Sequence, residues 1–334
     1  MHLNIQRFCT ASITLLFVSI SNPAQASCGS TSCSINTDWN EHGASQPGWS
    51  TDVRYSYSRA DTLRSGSGKI VADPTDPAYA GIEAENLRTI NQSVMASLDY
   101  THDEHWGVLL QLPYVMRDHT HSIGNPDAAL MTTESFTANS IGDFKVVGRY
   151  RWESGLDNRS GIGIKFGMKL NTGHKDFLTD TGALPQEATL QPGNGSTDMI
   201  LGAFWSQSTP GNTWNWFAQG TFQYAVASAE QFRPGNQLNL DVGTRYAIYS
   251  VLSGLMQINA QWSESDSGSA AAISPLTNEA SSGIKSISLT PGLSYAYSSA
   301  TQLYGLIQIA VSQYVNGEQL TAPYTFSLGV NQHF

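Results

Sequence analysis

Gly142-Asp143-Phe144-Lys145-Val146-Val147-Gly148-Arg149-Tyr150-Arg151-Trp152 changes character at almost every step. Its even positions hold Gly142, Phe144, Val146, Gly148, Tyr150 and Trp152. Its odd positions hold Asp143, Lys145, Val147, Arg149 and Arg151, so every charge falls on one side. A helix, at about 3.6 residues per turn, would scatter these charges around its circumference, whereas a strand of period two sorts them onto one face. The stretch is a strand.

The same pattern repeats outward in both directions. Ile162, Ile164, Phe166, Met168 and Leu170 alternate with Gly163, Lys165, Gly167, Lys169 and Asn171; Leu238, Leu240, Val242, Thr244, Tyr246 and Ile248 alternate with Asn239, Asp241, Gly243 and Arg245. Twelve such runs lie near 49–59, 88–100, 104–115, 140–153, 160–171, 197–207, 213–227, 236–249, 252–264, 284–297, 302–314 and 322–334. The runs at 197–207 and 302–314 alternate least cleanly. Connections after the even-numbered runs are short, as at Thr101–Asp103, Ser250–Val251 and Ser298–Thr301. Those after the odd-numbered runs are longer, as at Ala60–Leu87, Met116–Asn139, Thr172–Ser196 and Ser265–Gly283. One rim therefore carries tight turns and the other carries loops. This predicts an all-β fold, a transmembrane antiparallel up-and-down β-barrel of about twelve strands over 49–334, with both termini on the short-turn, periplasmic side.

Alternation alone also suits a soluble barrel. Three features favour the membrane. The runs are longer than strands of soluble sheets and match a tilted bilayer crossing. Aromatics gather near strand ends on the apolar face, and Trp106 and Tyr114 are separated by roughly 26 Å along an extended chain, the scale of an apolar band between girdles. The chain closes on Tyr324, Phe326, Leu328, Val330, Gln332 and Phe334, a terminal Phe preceded by mostly apolar alternate residues, which resembles the sorting signal of bacterial outer-membrane barrels. Beyond residue 26 no apolar run is long enough for a helical span.

Residues 1–26 read as a secretory signal, with Arg7, the apolar stretch Phe8–Ile20 and the Ala24-Gln25-Ala26 cleavage pattern. Cys28 also suggests a lipoprotein, but Gln25 stands where a lipobox carries a branched apolar residue. Residues 27–48 form a polar periplasmic segment. Cys28 and Cys33 are expected to form a disulfide in an oxidising compartment. A formal net charge of −10 argues against a nucleic-acid partner and suits loops among lipopolysaccharide and outer-membrane lipid.

If the even faces of the fourth and fifth runs meet lipid, Asp143, Lys145, Arg149, Arg151, Lys165 and Lys169 enter the lumen. The seventh to ninth runs add polar groups including Asn239, Asp241, Arg245, Gln257 and Asn259. Such a lining suits a water-filled path for anionic or polar solutes. The same groups also suit mutual pairing that braces a filled lumen, since buried charges demand partners. His119 and His121 leave the third run toward a loop; they are a candidate metal pair without an assured third ligand, or two solvated loop histidines. Asp73 and Asp76 match no calcium loop. Neither a Gly-x-Ser-x-Gly nor a His-Glu-x-x-His occurs, so the sequence offers no enzyme signature and calls for no cofactor.

Ile141-Gly142-Asp143, Gly161-Ile162-Gly163-Ile164-Lys165, Leu170-Asn171-Thr172-Gly173, Leu190-Gln191-Pro192-Gly193-Asn194-Gly195-Ser196-Thr197-Asp198 and Thr290-Pro291-Gly292-Leu293 together resemble a proteobacterial outer-membrane family. Its members are assigned to a "MetA-pathway of phenol degradation" or described as outer-membrane transporters. The likeness covers roughly residues 90–334, and Asn171 stands where usual members have Pro. It implies a barrel passing small aromatic or hydrophobic compounds, and it carries over no catalytic residues. Three functions follow as expectations: a narrow channel or transporter for small solutes; a plugged structural barrel whose segment Cys28–Gly48 docks a periplasmic protein; and a surface lipid hydrolase.

Overall fold

The computed structural model describes residues 47–71, 73, 75, 76, 83–154, 159–178, 185–228, 232–268 and 281–334. The leader, Cys28, Cys33 and the segment before residue 47 lie outside them. Twelve strands build the wall: β1 (Gly48–Ala60), β2 (Glu83–Thr101), β3 (Trp106–Ile123), β4 (Phe144–Ser154), β5 (Ser160–Leu170), β6 (Ser196–Ser208), β7 (Trp214–Ser228), β8 (Gln237–Ala247), β9 (Leu252–Ser263), β10 (Ile284–Ala296), β11 (Thr301–Thr321) and β12 (Tyr324–His333). Each pairs antiparallel with its neighbour in this order, and β1 pairs with β12 from Ser50↔His333 to Ser58↔Thr325. The sheet is thus a closed twelve-stranded antiparallel barrel. The two poorly alternating runs are the strands β6 and β11.

Both described chain ends sit on the short-turn rim. Gly48 pairs with Thr101, and the Phe334 amide donates to the Trp49 carbonyl at 2.8 Å. The tight turns there are held by side-chain oxygens. Asp103 Oδ1 accepts from the His105 and Trp106 amides, both at 2.8 Å, Thr209 Oγ1 from the Trp214 amide at 2.9 Å, and Ser298 Oγ from the Thr301 amide at 3.0 Å. Asp, Ser and Thr occupy these positions because a short side chain can close a turn that the backbone leaves open.

On the loop rim the structure differs from the sequence reading. β2 begins at Glu83, β3 continues to Ile123 and β11 to Thr321, beyond the runs 88–100, 104–115 and 302–314. The region 116–139 is no open loop: Thr132–Ile141 pairs with the upper half of β3, from Ile123↔Thr132 to Tyr114↔Ile141. The run 140–153 is accordingly divided. Below Tyr114 the partner of β3 becomes β4, and the break at Gly142–Asp143 is fixed by the Gly142 amide donating to the Pro113 carbonyl at 2.8 Å. Thr62–Gly66 likewise caps the upper part of β11. Above the band of exposed apolar residues both faces of a strand carry polar groups. The period-two signal therefore fades while the hydrogen-bond ladder goes on.

Outward positions along β4 to β10 are mostly apolar, as at Ile162, Val242 and Ile258, each more than half exposed, and they are flanked by aromatics such as Trp152, Trp214, Trp216, Tyr246 and Tyr295. Among the described residues no helix is long and apolar enough to cross a membrane, which says nothing of a barrel.

Candidate functional site

The barrel interior gathers the polar halves of the strands. Asp143, Arg149, Arg151, Lys165, Lys169, Asn239, Asp241, Gln257 and Asn259 are all buried, while Lys145 and Arg245 are partly so. The inside–outside assignment made from alternation thus places these side chains inside, and the interior divides into two unlike halves.

Toward the short-turn rim the interior is filled. Arg149 forms a bidentate ion pair with Asp99, one arm at 2.8 Å, and also donates to Thr101 Oγ1 at 2.5 Å. Gly107 makes this possible, because a Cβ there would lie 2.4 Å from the guanidinium carbon. Gly161 does the same for Arg151, whose Nε would lie 2.2 Å from an added Cβ. Phe204, Phe217, Leu255, Tyr304 and Leu306 are buried at this level, and the Phe217 ring occupies the space left by Gly243 across the strand pair. Tyr304 donates its hydroxyl to the Asp52 carboxylate at 2.9 and 3.0 Å. Here the contacts around Arg149 fit the bracing expectation: its guanidinium is paired with a carboxylate, and aromatics fill the space nearby.

Toward the loop rim lies a chamber of about 390 Å³. Its lining mixes apolar side chains, Met95, Leu109, Pro113, Val115, Val147 and Ile200, with Arg54, Lys145, Lys165 and Lys169 and the carboxylates of Asp143 and Asp241. The two kinds are interleaved: Arg54 pairs with Met95, and Val147 lies two residues from Lys145 on the same face of β4. A hydrogen-bonded belt fixes part of it across five strands: Lys165 donates to Gln219 at 3.2 Å, Gln219 to Asp241 at 2.9 Å, Asn259 to Asp241 at 2.6 Å and Thr290 to Asn259 at 2.6 Å. Asn259 also donates to Gln257 at 3.1 Å. Arg245 sits apart, nearer the turns, donating to Ser253 at 3.1 Å.

Lys145 and Lys169 face each other in register on β4 and β5, yet their surroundings differ. Lys169 Nζ contacts Asp143 at 3.1 Å, Asp198 at 3.2 Å, Ser196 at 3.0 Å and also Asn194. Lys145 lines the chamber and makes no hydrogen bond or ion-pair contact with any described residue. An ammonium with three N–H donors, set in a cavity with no hydrogen-bond acceptor among the described residues, has the chemistry to meet an anionic group.

The glycine-rich motifs meet at the chamber mouth. Asp143 Oδ1 accepts from the Gly173 amide at 2.9 Å, and its Oδ2 accepts from the Asn194 amide at 3.3 Å and from Lys169. Gly173 and Gly193 pack backbone to backbone, so that a Cβ on either would lie within 2.8 Å of the other's main chain. Arg117 donates to the carbonyls of Thr189 at 2.9 Å and Gln191 at 3.1 Å, which draws that segment over the mouth. Three of the short motifs that carry the resemblance, those holding Asp143, Gly173 and Gly193, are therefore a clasp for this segment.

His119 and His121 are buried, unlike the solvated pair the sequence suggested. They form a chain with Thr89 Oγ1···His119 Nδ1 at 2.9 Å, His119 Nε2···His121 Nδ1 at 3.2 Å and His121 Nε2···Glu134 Oε2 at 3.3 Å. The paired strand Thr132–Ile141 covers them, which the sequence read as loop. They lie above the apolar band, where Asp118 points outward to Arg88. Burial, with the His121 ring as a second cause, pushes the His119 pKa down to about 3. Among the described residues no three metal-ligating side chains converge. At the opposite rim the two amides on Asp103 hold its carboxyl below the usual range.

Asp52, Arg54, Asp99, Arg117 and Asp198 escaped the sequence reading as interior groups. Parity alone would have found Asp52, Arg54 and Asp99, since each shares a face with small polar neighbours on β1 or β2. Arg117 could not be found, because its strand was read as ending at 115.

No protein-family model and no curated protein matches the chain. Among solved structures, an outer-membrane channel from Pseudomonas putida F1 matches with a TM-score of 0.63 at 12% identity, over 90% of this chain and 100% of that chain. The P. putida toluene transporter TodX matches at a TM-score of 0.47 and 8% identity, over 88% of this chain and 92% of that chain. The NanC porin matches at 0.44 and 12%, over 85% and 100%. The first likeness is one of fold: this chain folds as outer-membrane channels do. The two lower scores carry no argument.

Proposed function

We propose that this chain is an outer-membrane channel that admits small amphipathic organic anions, with the loop rim outside and both termini in the periplasm. The observation that carries the reading is the chamber, whose lining sets apolar side chains beside cationic ones, with Lys145 meeting no hydrogen-bond acceptor among the described residues. A solute with a flat or aliphatic body and one carboxylate satisfies both kinds of lining at once. The motif resemblance to outer-membrane transporters of small aromatic compounds supports the same reading and the same family. The packed half below the chamber supports a narrow, gated path rather than an open pore.

Proteoliposome uptake tests it, with benzoate, benzyl alcohol and benzylamine as probes. Benzoate should enter fastest, and Lys145→Gln should lower benzoate entry about tenfold, equivalent to ~1.4 kcal/mol, while leaving benzyl alcohol unchanged. Equal rates for the three probes, or no uptake at all, would remove the proposal in favour of a structural barrel.

A further inference from the structure

On the outward register of β4 to β10 only one residue is charged, Lys285, at the loop-side end of β10. It is exposed, and its ammonium lies 4.7 Å from the Trp262 ring centroid and 5.5 Å from that of Tyr314. The two rings flank the amine on neighbouring strands, because Lys285 is the register partner of both. No described residue gives it a hydrogen bond or an ion pair. Among the described residues its charge is thus supported by π faces alone, and its three N–H donors meet no acceptor there.

Below it runs a groove of about 230 Å³ in the outer wall, over Leu240, Ala260 and Ile287. Sequence explains its depth. Ala260 puts a methyl where neighbouring outward positions carry larger groups, and the pairing of β10 with β11 skips Val311 between Ser288↔Ala310 and Ile287↔Ser312, a bulge that bends the wall beside it. A hydrocarbon-lined groove crowned by one cation at the edge of an apolar band has the two chemistries of an acylated, phosphate-bearing lipid.

We infer that this groove is a binding site for one molecule of lipid A, with an acyl chain along Ala260 and a phosphate on Lys285. The choice of lipid A over a glycerophospholipid rests on the reading that the loop rim faces the outer leaflet. The measurement below is made in detergent and does not depend on orientation, so its failure leaves the channel proposal standing, and failed uptake leaves this one standing.

Native mass spectrometry of the full folded barrel, released from detergent with added lipid, tests the site. The probes are diphosphoryl lipid A, its dephosphorylated form and phosphatidylglycerol. Wild type should retain diphosphoryl lipid A at one-to-one stoichiometry. Lys285→Gln should reduce occupancy at least fivefold, and Ala260→Trp, which fills the groove but keeps the lysine, should reduce it comparably. Gel migration of unheated samples verifies that both variants are folded. Unchanged occupancy in both variants, equal retention of the dephosphorylated form, or equal retention of phosphatidylglycerol overturns the inference and leaves only a general lipid annulus.

Discussion

The two halves of the interior use the same residue types for opposite ends. Near the turns, Arg149 meets Asp99 and Thr101, glycines make room for guanidinium groups, and buried aromatics close the remaining space. Near the loops, arginine and lysine line a chamber side by side with apolar groups. Lys145 and Lys169, register partners, mark the contrast at its sharpest: one is enclosed by oxygen, the other looks into space. What separates bracing from binding is whether the protein supplies the acceptor itself.

The largest effect is expected from breaking the lower half. Arg149→Ala removes the ion-pair partner of the part-buried Asp99 carboxylate, and should cost about 3–5 kcal/mol of stability, read by urea unfolding in detergent micelles. Conductance in planar bilayers should rise at the same time, because a filled level has been opened; a stable variant of unchanged conductance would place the barrier elsewhere. Overpacking the same level comes next. Gly161→Ala drives a methyl into Arg151 and should destabilise by about 1–3 kcal/mol, in the same unfolding measurement.

Exchanging the two lysines sharpens the comparison. Lys169→Gln should lower stability and loosen the mouth, detected by faster proteolysis near Gly193, whereas Lys145→Gln should change stability by less than about 0.5 kcal/mol. If the two variants unfold alike, the distinction between bracing and binding fails.

Much of this was legible in residues and some was not. Charges confined to odd positions from Asp143 to Arg151 put the right side chains inside, because a closed sheet allows only two faces. Alternation could not say which interior charges would find partners, since Asp99 on β2 reaches Arg149 on β4 across Gly107 of β3, a register that parity does not give. Nor could it see the pairing of Thr132–Ile141 on β3, where both faces of the ladder are polar and the pattern goes silent. That blind spot hid the burial of His119 and His121.

A smaller effect follows from this burial. His119 keeps its neutral form down to about pH 3 in the folded barrel, against 6.5 for the free side chain. The unfolded chain therefore takes up the proton first. Stability of the mouth should be intact above pH 6.5 and fall progressively as pH drops from there toward 3. His119→Asn should flatten that slope in an unfolding series, and an unaltered slope would assign the acid sensitivity to another group. The smallest change belongs to Asp103, whose lowered pKa means its contribution is present at neutral pH and fades as acid protonates it. Asp103→Ala should slow refolding into lipid slightly, by loosening one turn, and leave uptake untouched.

The seam between β1 and β12 joins residues that are almost the whole chain apart, such as Val53 with Val330. A slip of one residue there would swing the greasy side chains of an edge strand inward and present serines and asparagines to hydrocarbon. Only the correct alignment of the first and last strands therefore completes a cylinder with one polar and one apolar surface.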